Sequence, residues 1–380
     1  MLAIGVVTNG ASISTALLSP NDRVARLPLR FWAERLILNL QHTYATIREP
    51  RRFAENLAAI GNNAGLVAAS RGDTEAALKS AELQIRWLGR LARRSRESSL
   101  AAFAVQPWVN LGRLDAISGR TMEALDRFSE LWRSALNGHV HIGTLRLGEG
   151  DWAAIVPTRD HFLTFVHTIY VSDSLKAMIL NRRFDLVDPF SLQVGAKGRL
   201  KSMCDEACIV AESKTGDHRK AIARAETAVA SATGWPAVVL QLRLAEANAC
   251  AGELDGSRKI LSQLADMIQH VSVKIMAKPE LMQITARLAV ACCEVELFHD
   301  GITVAENVLK GAQSVQDEMI QLDMLEILAN FAEQEQANSW REKLSELKAG
   351  TDYARFRRGL AAQPSSLFDE LYSCLANAYT

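Results

Sequence analysis

Long stretches without proline constrain the fold of this chain more than any other feature of its sequence. Only nine prolines occur in 380 residues, and none lies within 51–106, 237–278 or 280–363. Alanine and leucine dominate these stretches, and alternating strand-like patterns are nearly absent. Because proline interrupts helix interiors while alanine and leucine favour them, the sequence predicts an almost entirely α-helical chain.

The composition indicates a globular chain whose net charge does not favour binding to nucleic acid or to an anionic membrane. Apolar residues make up 48% and charged residues 23% of the chain, and the formal net charge is zero. These values exclude intrinsic disorder, and no apolar run approaches the about 20 residues that a membrane-spanning helix needs. A neutral chain has no overall field that attracts nucleic acid or an anionic membrane. We therefore expect neither as a partner.

The cysteines and the first residues favour a reducing compartment. All six cysteines lie in the second half of a long chain, and the short apolar piece within 1–20 has no basic residue before it. A secretion signal begins with basic residues, and disulfide frameworks are typical of short secreted chains. We therefore expect reduced thiols and a cytoplasmic location.

One segment carries large and small residues at the spacing of paired helices. The pattern W-x2-L-G-x6-G-x4-A-x3-F is formed by Trp108, Leu111, Gly112, Gly119, Ala124 and Phe128. It resembles the tetratricopeptide repeat, in which two antiparallel helices pack through small and large residues at fixed positions. The resemblance implies that Gly112 and Ala124 meet where the helices approach closely. Asp115 stands where the repeat usually has tyrosine, and the closing proline is missing.

Weaker copies of this pattern flank the segment. Their turns are predicted at Gly72, Gly216, Gly252 and Asp300, and a further pair of helices is predicted with its first helix over 161–180 and its turn over 181–183. The turns are unevenly spaced, unlike an array with a period of about 34 residues. The resemblance is therefore to divergent, long-helix members of the superfamily, and another solenoid of helical hairpins stays open as an alternative.

We predict an all-α fold, namely an α-solenoid of antiparallel helix hairpins over residues 31–350. An N-terminal segment over 1–30 precedes this array, and capping helices over 351–380 cover its last face. An irregular insertion is predicted near 137–158, because no hairpin pattern covers these residues. No linker rich in glycine, serine or proline divides the chain, so we expect one continuous array.

The resemblance also implies a binding surface. In tetratricopeptide repeats the first helix of each pair lines a concave groove that commonly holds an extended peptide or a partner helix. The family's paired lysine and asparagine set for a C-terminal carboxylate is not reproduced here. A mixed polar groove with an apolar floor suits an internal or folded segment of another protein. The corresponding positions are Asn62, Gln106, Arg113, Glu206, Glu246, Arg287 and Glu294.

Two other groups of residues offer alternative sites. The histidines in or beside the insertion are His139, His141, His161 and His167. In an extended backbone an H-x-H pair points to one side and holds a divalent metal with a third ligand; the simpler interpretation is an unligated surface loop. The arginines Arg90, Arg93 and Arg94 suit either an anion clamp or a solvated helix end.

No catalytic motif accompanies these features. The sequence contains no G-x-S-x-G, H-E-x-x-H, Walker loop or complete G-x-G-x-x-G. Cys208, Cys292 and Cys293 occupy packing positions of the repeat, so we expect them to fill the core. We expect a non-enzymatic adaptor or regulatory scaffold that binds a protein or peptide and uses no cofactor. The alternatives are an all-helical enzyme or small-molecule-binding protein, metal-dependent or not, with its pocket near 137–167, and a sensory repeat domain.

Overall fold

The structure is a computed structural model that describes residues 73–142, 145–148, 151, 158–315 and 318–350, with isolated positions between 50 and 65. The predicted N-terminal segment 1–30, the predicted capping helices over 351–380, the predicted turn at Gly72 and the predicted groove residue Asn62 lie outside the described residues. Most of the described chain is helical, in agreement with the predicted all-α class.

The described part contains fourteen α-helices, one 3₁₀-helix and one pair of short strands. In chain order the elements are α1 (Thr74–Ser95), the 3₁₀-helix (Ser98–Ala104), α2 (Val105–Ile117), α3 (Thr121–Leu136), β1 (Val140–Ile142), β2 (Leu145–Leu147), α4 (Arg159–Leu180), α5 (Phe184–Val194), α6 (Gly198–Thr215), α7 (His218–Ser231), α8 (Trp235–Cys250), α9 (Leu254–Gln269), α10 (Val273–Met276), α11 (Pro279–Glu294), α12 (Phe298–Val315), α13 (Glu318–Phe331) and α14 (Gln334–Gly350). None of these helices has the length and hydropathy needed to cross a bilayer.

The predicted irregular insertion differs from the structure, because part of it is an antiparallel β-hairpin. The register of β1 and β2 places Val140 opposite Leu147 and Ile142 opposite Leu145. All four side chains are buried, so the hairpin has one apolar face that packs into the protein. Three residues per strand are too few for the alternating pattern that reveals a strand in a sequence.

The described helices form two compact units, and the division falls between Ala177 and Met178, within α4. The first unit contains α1–α3, the β-hairpin and most of α4. The second contains the end of α4 and the helices α5–α14. The sequence has no linker composition at this point, and the continuous array stays a prediction.

In the first unit, α2 and α3 form the pair of helices that the repeat-like segment predicts. They pack against each other across a tight turn in which Gly119 has a φ of +79°. A Cβ at Gly112 would lie 2.5 Å from Cε1 of Phe128, so the Phe128 ring packs directly on the Gly112 backbone. The predicted partner of Gly112 was Ala124, which is fully buried, but the aromatic ring fills the space beside the glycine.

Asp115 forms a buried ionic contact at the position where the repeat usually has tyrosine. Arg120 donates to Oδ1 of Asp115 through Nε at 3.0 Å and through Nη2 at 2.6 Å. Arg127 donates to Oδ2 through Nε at 2.6 Å, and its guanidinium carbon lies 4.8 Å from the centroid of the Trp108 ring. The carboxylate therefore joins α2 to α3 through charge-assisted hydrogen bonds instead of aromatic packing.

In the second unit, each helix from α5 to α8 packs against the next helix in the chain, and so does each helix from α10 to α13. Contacts also join helices that are not consecutive: α6 with α8, α8 with α11, α9 with α12, and α11 with α13. This packing buries one apolar cluster that extends from Leu242 on α8 to Leu328 on α13. Helices that are close in the chain therefore form most of this core.

Residues with positive φ mark the turns that follow α6, α8 and α11. Gly216 and Gly252, two of the predicted turn residues, have φ values of +87° and +83°. The third turn has Glu296 at +67°, whereas the predicted turn residue Asp300 lies inside α12. The sequence misplaces this turn because a glutamate gives no signal for a left-handed conformation. The predicted turn over 181–183 agrees with the end of α4 and the start of α5.

A small buried residue follows five positions after each of the turn residues Gly119, Gly216, Gly252 and Glu296, and it lets the second helix approach the first. A Cβ at Gly301 would lie 2.6 Å from Sγ of Cys293 and 3.2 Å from the carbonyl oxygen of Ala289, so no side chain fits there without a shift. Ser257 is fully buried, and its Oγ has no hydrogen-bond partner in the described structure. The set comprises Ala124, Ala221, Ser257 and Gly301.

Candidate functional site

Five charged side chains on three helices of the second unit form a ladder of ion pairs. Glu206 belongs to α6, Arg243 and Glu246 belong to α8, and Arg287 and Glu294 belong to α11. Arg243 donates to Oε1 of Glu206 through Nε at 3.1 Å and Nη2 at 3.0 Å, and to Oε2 of Glu246 through Nη1 at 2.6 Å. Arg287 donates to Oε1 of Glu246 through Nε at 2.6 Å, and its Nη2 lies 3.8 Å from Oε2 of Glu294.

Helical spacing places these groups on adjoining faces. Arg243 and Glu246 are three residues apart on α8, so they lie side by side on one face of the helix. Arg287 and Glu294 are seven residues apart on α11, which is two helical turns along a single face. Since α8 packs against both α6 and α11, the α8 pair reaches a partner on each neighbouring helix.

The ladder is buried at one end and open at the other. The side chains of Glu206 and Arg243 are each 6% exposed, whereas that of Glu294 is 55% exposed. Burial raises the pKa of Glu206, and the attraction of Arg243 offsets this only in part. Burial also opposes ionisation of Glu246, but the guanidinium groups of Arg243 and Arg287 outweigh it and lower its pKa to about 2.

A cleft of about 340 Å³ opens along the ladder; we call it the ladder cleft. Its lining comes from α6, α8, α9 and α11 and from the turn after α11, so it lies entirely within the second unit. Its apolar lining consists of Ile209, Val210, Ala249, Leu261, Ala291 and Val295. Its polar lining consists of Ser213, Lys214, Arg243, Glu246, Cys250, Ser257, Arg287 and Glu294.

The structure brings together four of the seven groove positions that the repeat resemblance implies, namely Glu206, Glu246, Arg287 and Glu294. In the first unit, Gln106 donates to Oδ1 of Asn110 at 3.0 Å. Arg113 donates to Oδ2 of Asp173 through Nε at 3.0 Å and Nη2 at 2.9 Å.

Sequence reasoning missed Arg243, the buried centre of the ladder. The signal available was an arginine three residues before a glutamate on the same predicted helix, which is a spacing that pairs opposite charges. The alignment with the repeat did not select Arg243, because that alignment was based on the turn residues and not on the charged residues.

Of the four histidines named as an alternative metal set, His139 and His141 lie together, whereas His161 and His167 contact other residues. The rings of His139 and His141 have centroids 5.1 Å apart, and Nδ1 of His161 lies 2.6 Å from Oγ1 of Thr158. His167 stacks on Trp132 with centroids 4.5 Å apart, and burial lowers its pKa. Within the described residues, no three histidine, cysteine, aspartate or glutamate side chains form a group that could hold a metal ion.

The arginine cluster lies at one exposed helix end. Arg90, Arg93 and Arg94 are exposed on α1, and the last two belong to its final turn. Cations in a final turn interact favourably with the helix dipole. The guanidinium carbon of Arg90 lies 5.6 Å from the centroid of the Trp87 ring. Both interpretations, an anion clamp and a solvated helix end, require exposure of this kind.

The cysteines expected in the core are buried. Cys292 and Cys293 pack within the apolar cluster of the second unit, whereas the thiol of Cys208 contacts Asp188 and Ser191. Burial raises the pKa values of Cys208, Cys292 and Cys293 to about 11, 12 and 11. Such thiols are protonated and unreactive at neutral pH. Cys250, in contrast, is exposed and lines the ladder cleft.

Comparisons with known proteins do not assign a family. No protein-family model matches the chain, and no curated protein matches it. The contacts in its own structure therefore carry the functional argument.

Proposed function

We propose that this chain is a helical-repeat scaffold of the tetratricopeptide type that acts in the cytoplasm and binds another protein or a peptide. The groove would run along α6, α8 and α11, the first helices of successive hairpins. Support comes from the packing of the second unit, where α6 contacts α8 and α8 contacts α11 as well as the helices next to them in the chain. Stacked hairpins produce this pattern of contacts between nearest neighbours.

The observation that carries the proposal is the ladder cleft. It lies along those three first helices, and it combines an apolar wall with charged groups that are already held in place. Charged groups that are already paired with one another keep one arrangement, so a ligand need not order them on binding. Such preorganisation favours recognition of a segment of another protein.

A capture experiment with matched charge reversals tests the proposal. Glu294→Lys changes the most exposed member of the ladder, and Glu226→Lys makes the same change at an exposed position of α7 that does not line the cleft. The full-length chain and both variants are immobilised, and proteins retained from an extract are identified by mass spectrometry. Each candidate is then purified, and its affinity for the three chains is measured.

The expected result is a partner that the unchanged chain and Glu226→Lys bind alike and that Glu294→Lys binds at least about tenfold more weakly. Equal affinity for both variants would place the partner elsewhere on the protein and would contradict a groove along α6, α8 and α11. Failure to retain any purified partner would contradict the scaffold function as a whole.

A further inference from the structure

The charged groups of the ladder cleft compensate one another within the protein. The charged lining residues are the cations Lys214, Arg243 and Arg287 and the carboxylates Glu246 and Glu294. Glu206, which is not a lining residue, pairs with Arg243. Arg243 and Arg287 each contact two carboxylates, and Lys214 is also engaged in a polar or electrostatic contact. A charged ligand group would have to separate one of these pairs or lie beside a charge that is already neutralised.

Separating such a pair is unfavourable because most of its members are shielded from water. The side chains of Arg243, Glu246 and Arg287 are 6%, 16% and 13% exposed. Removing one partner of a buried ion pair leaves an uncompensated charge, which is strongly unfavourable. The ladder therefore selects against a strongly acidic or strongly basic ligand at this point.

The apolar part of the lining is aliphatic and suits a small apolar group. Two residues of α6, Ile209 and Val210, face the same cavity as Leu261 of α9 and Val295 after α11. A cavity of about 150 Å³ lined by such side chains accommodates a benzene molecule. The volume of about 340 Å³ therefore accommodates one aliphatic side chain together with the main chain that carries it.

We propose that the ladder cleft binds one leucine-, isoleucine- or methionine-sized side chain of an extended, uncharged peptide segment. This inference rests on the proposed scaffold function and specifies the chemistry of its ligand. The apolar wall takes up the aliphatic side chain. The polar wall offers hydrogen bonds to the peptide main chain without requiring a charge. Because the peptide segment is uncharged and the charges of the cleft are paired with one another, the affinity depends little on the salt concentration.

Synthetic peptide pools test this assignment directly. Three pools of peptides of about twelve residues share neutral polar flanks and differ only in a central aliphatic, acidic or basic triplet. Their affinities for the full-length chain are measured by fluorescence polarisation at about 0.05 M and about 0.5 M salt. We expect the aliphatic pool to bind most tightly and its affinity to change by less than about twofold between the two salt concentrations.

Filling the cleft supplies the matched control. Ala249→Phe adds an aromatic ring inside the cleft, and Ala223→Phe adds the same ring at an exposed position of α7 outside it. The first variant should weaken binding of the aliphatic pool at least about tenfold, and the second less than about twofold. Cys250→Trp, at an exposed position of the cleft lining, is the second filling variant if Ala249→Phe does not fold; circular dichroism verifies folding.

Three results would overturn the inference: tighter binding of the acidic or basic pool, no binding of the aliphatic pool, or equal affinity of the filled and control variants. The capture experiment separates these results from failure of the scaffold function. A partner lost with Glu294→Lys, combined with an aliphatic pool that does not bind, would retain the scaffold function and reject only the assigned ligand.

Discussion

Glu246 is the group whose replacement most directly tests the electrostatic account of the cleft. Its carboxylate accepts hydrogen bonds from Arg243 and Arg287, so it links α8 to α11 while Arg243 links α8 to α6. We expect Glu246→Gln to lower the free energy of unfolding of the full-length chain. Glutamine keeps the shape of the side chain but removes the negative charge between the two guanidinium groups.

The magnitude follows from the pKa of Glu246, which falls from 4.5 to about 2 in the folded protein. Each pKa unit corresponds to about 1.4 kcal/mol, so ionised Glu246 contributes about 3 kcal/mol of stability at neutral pH. Because the folded pKa is the lower one, this contribution is complete above the unfolded value of 4.5. It is lost as the pH falls from there towards about 2.

Glu206 is the matched control on the same ladder. Burial raises its pKa, so its contribution to stability is present below the unfolded pKa and is lost as the pH rises through the folded pKa. Burial therefore disfavours the ionised form of this carboxylate in the folded protein. We therefore expect Glu206→Gln to change the free energy of unfolding by no more than about 1 kcal/mol, because glutamine still accepts a hydrogen bond from Arg243.

Urea denaturation of the unchanged chain and both variants, at pH about 7 and at pH about 3.5, measures these effects. The loss caused by Glu246→Gln should shrink at the lower pH, where the unfolded state takes up a proton that folded Glu246 resists. The reasoning would be refuted by a loss below about 1 kcal/mol at neutral pH, by a loss that does not depend on pH, or by an equal loss in Glu206→Gln.

Three further outcomes are expected. Ser257→Ala should raise the free energy of unfolding by about 1 kcal/mol, because it removes a buried hydroxyl that lacks a hydrogen-bond partner. Ser231→Ala, at an exposed position, should change the free energy of unfolding little. Destabilisation by Ser257→Ala in urea titrations would contradict this expectation. Gly301→Ala should cost about 1–3 kcal/mol by overpacking, while Gly256→Ala, with no atom closer than 3.9 Å to the added carbon, should be neutral or stabilising in thermal melts. Among the cysteines of the described part, Cys250 should react first with a thiol reagent at pH about 8, because its side chain is exposed. Mass spectrometry of the labelled peptides gives the rate at each cysteine. Equally fast labelling of a buried thiol would contradict the packing. The buried thiols are Cys204, Cys208, Cys292 and Cys293.

The sequence predicted helices well where the signals are local. The described parts of the proline-free stretches are largely helical, and two glycines with positive φ mark the turns expected at Gly216 and Gly252. These features depend on residues close together in the chain, for which backbone preferences and spacing suffice.

Features that depend on contacts between elements were not predictable in the same way. The turn at Glu296 has a residue that only its surroundings hold in the left-handed region, and the β-hairpin is too short for a pattern. The contact between Gly112 and Phe128 depends on the rotation of α3 about its axis, which spacing alone does not give.

For the candidate site, the resemblance selected four ladder positions but not the way in which they are joined. An alignment based on turn residues does not mark Arg243 as a groove position, although this residue makes the most buried ion pair of the ladder. Burial and pairing of charges are properties of the packed helices, and the linear sequence contains them only as opposite charges at helical spacing.

The ladder also has a consequence for how the second unit comes apart. Shortening the chain before α11 would leave Glu246 without Arg287, and removing α6 would leave Arg243 with a single counterion. Each truncation exposes a mismatched charge as well as apolar surface, so the helices that share the ladder should unfold together in one cooperative step. The ion pairs that cross these three helices make the loss of one helix unfavourable for the other two.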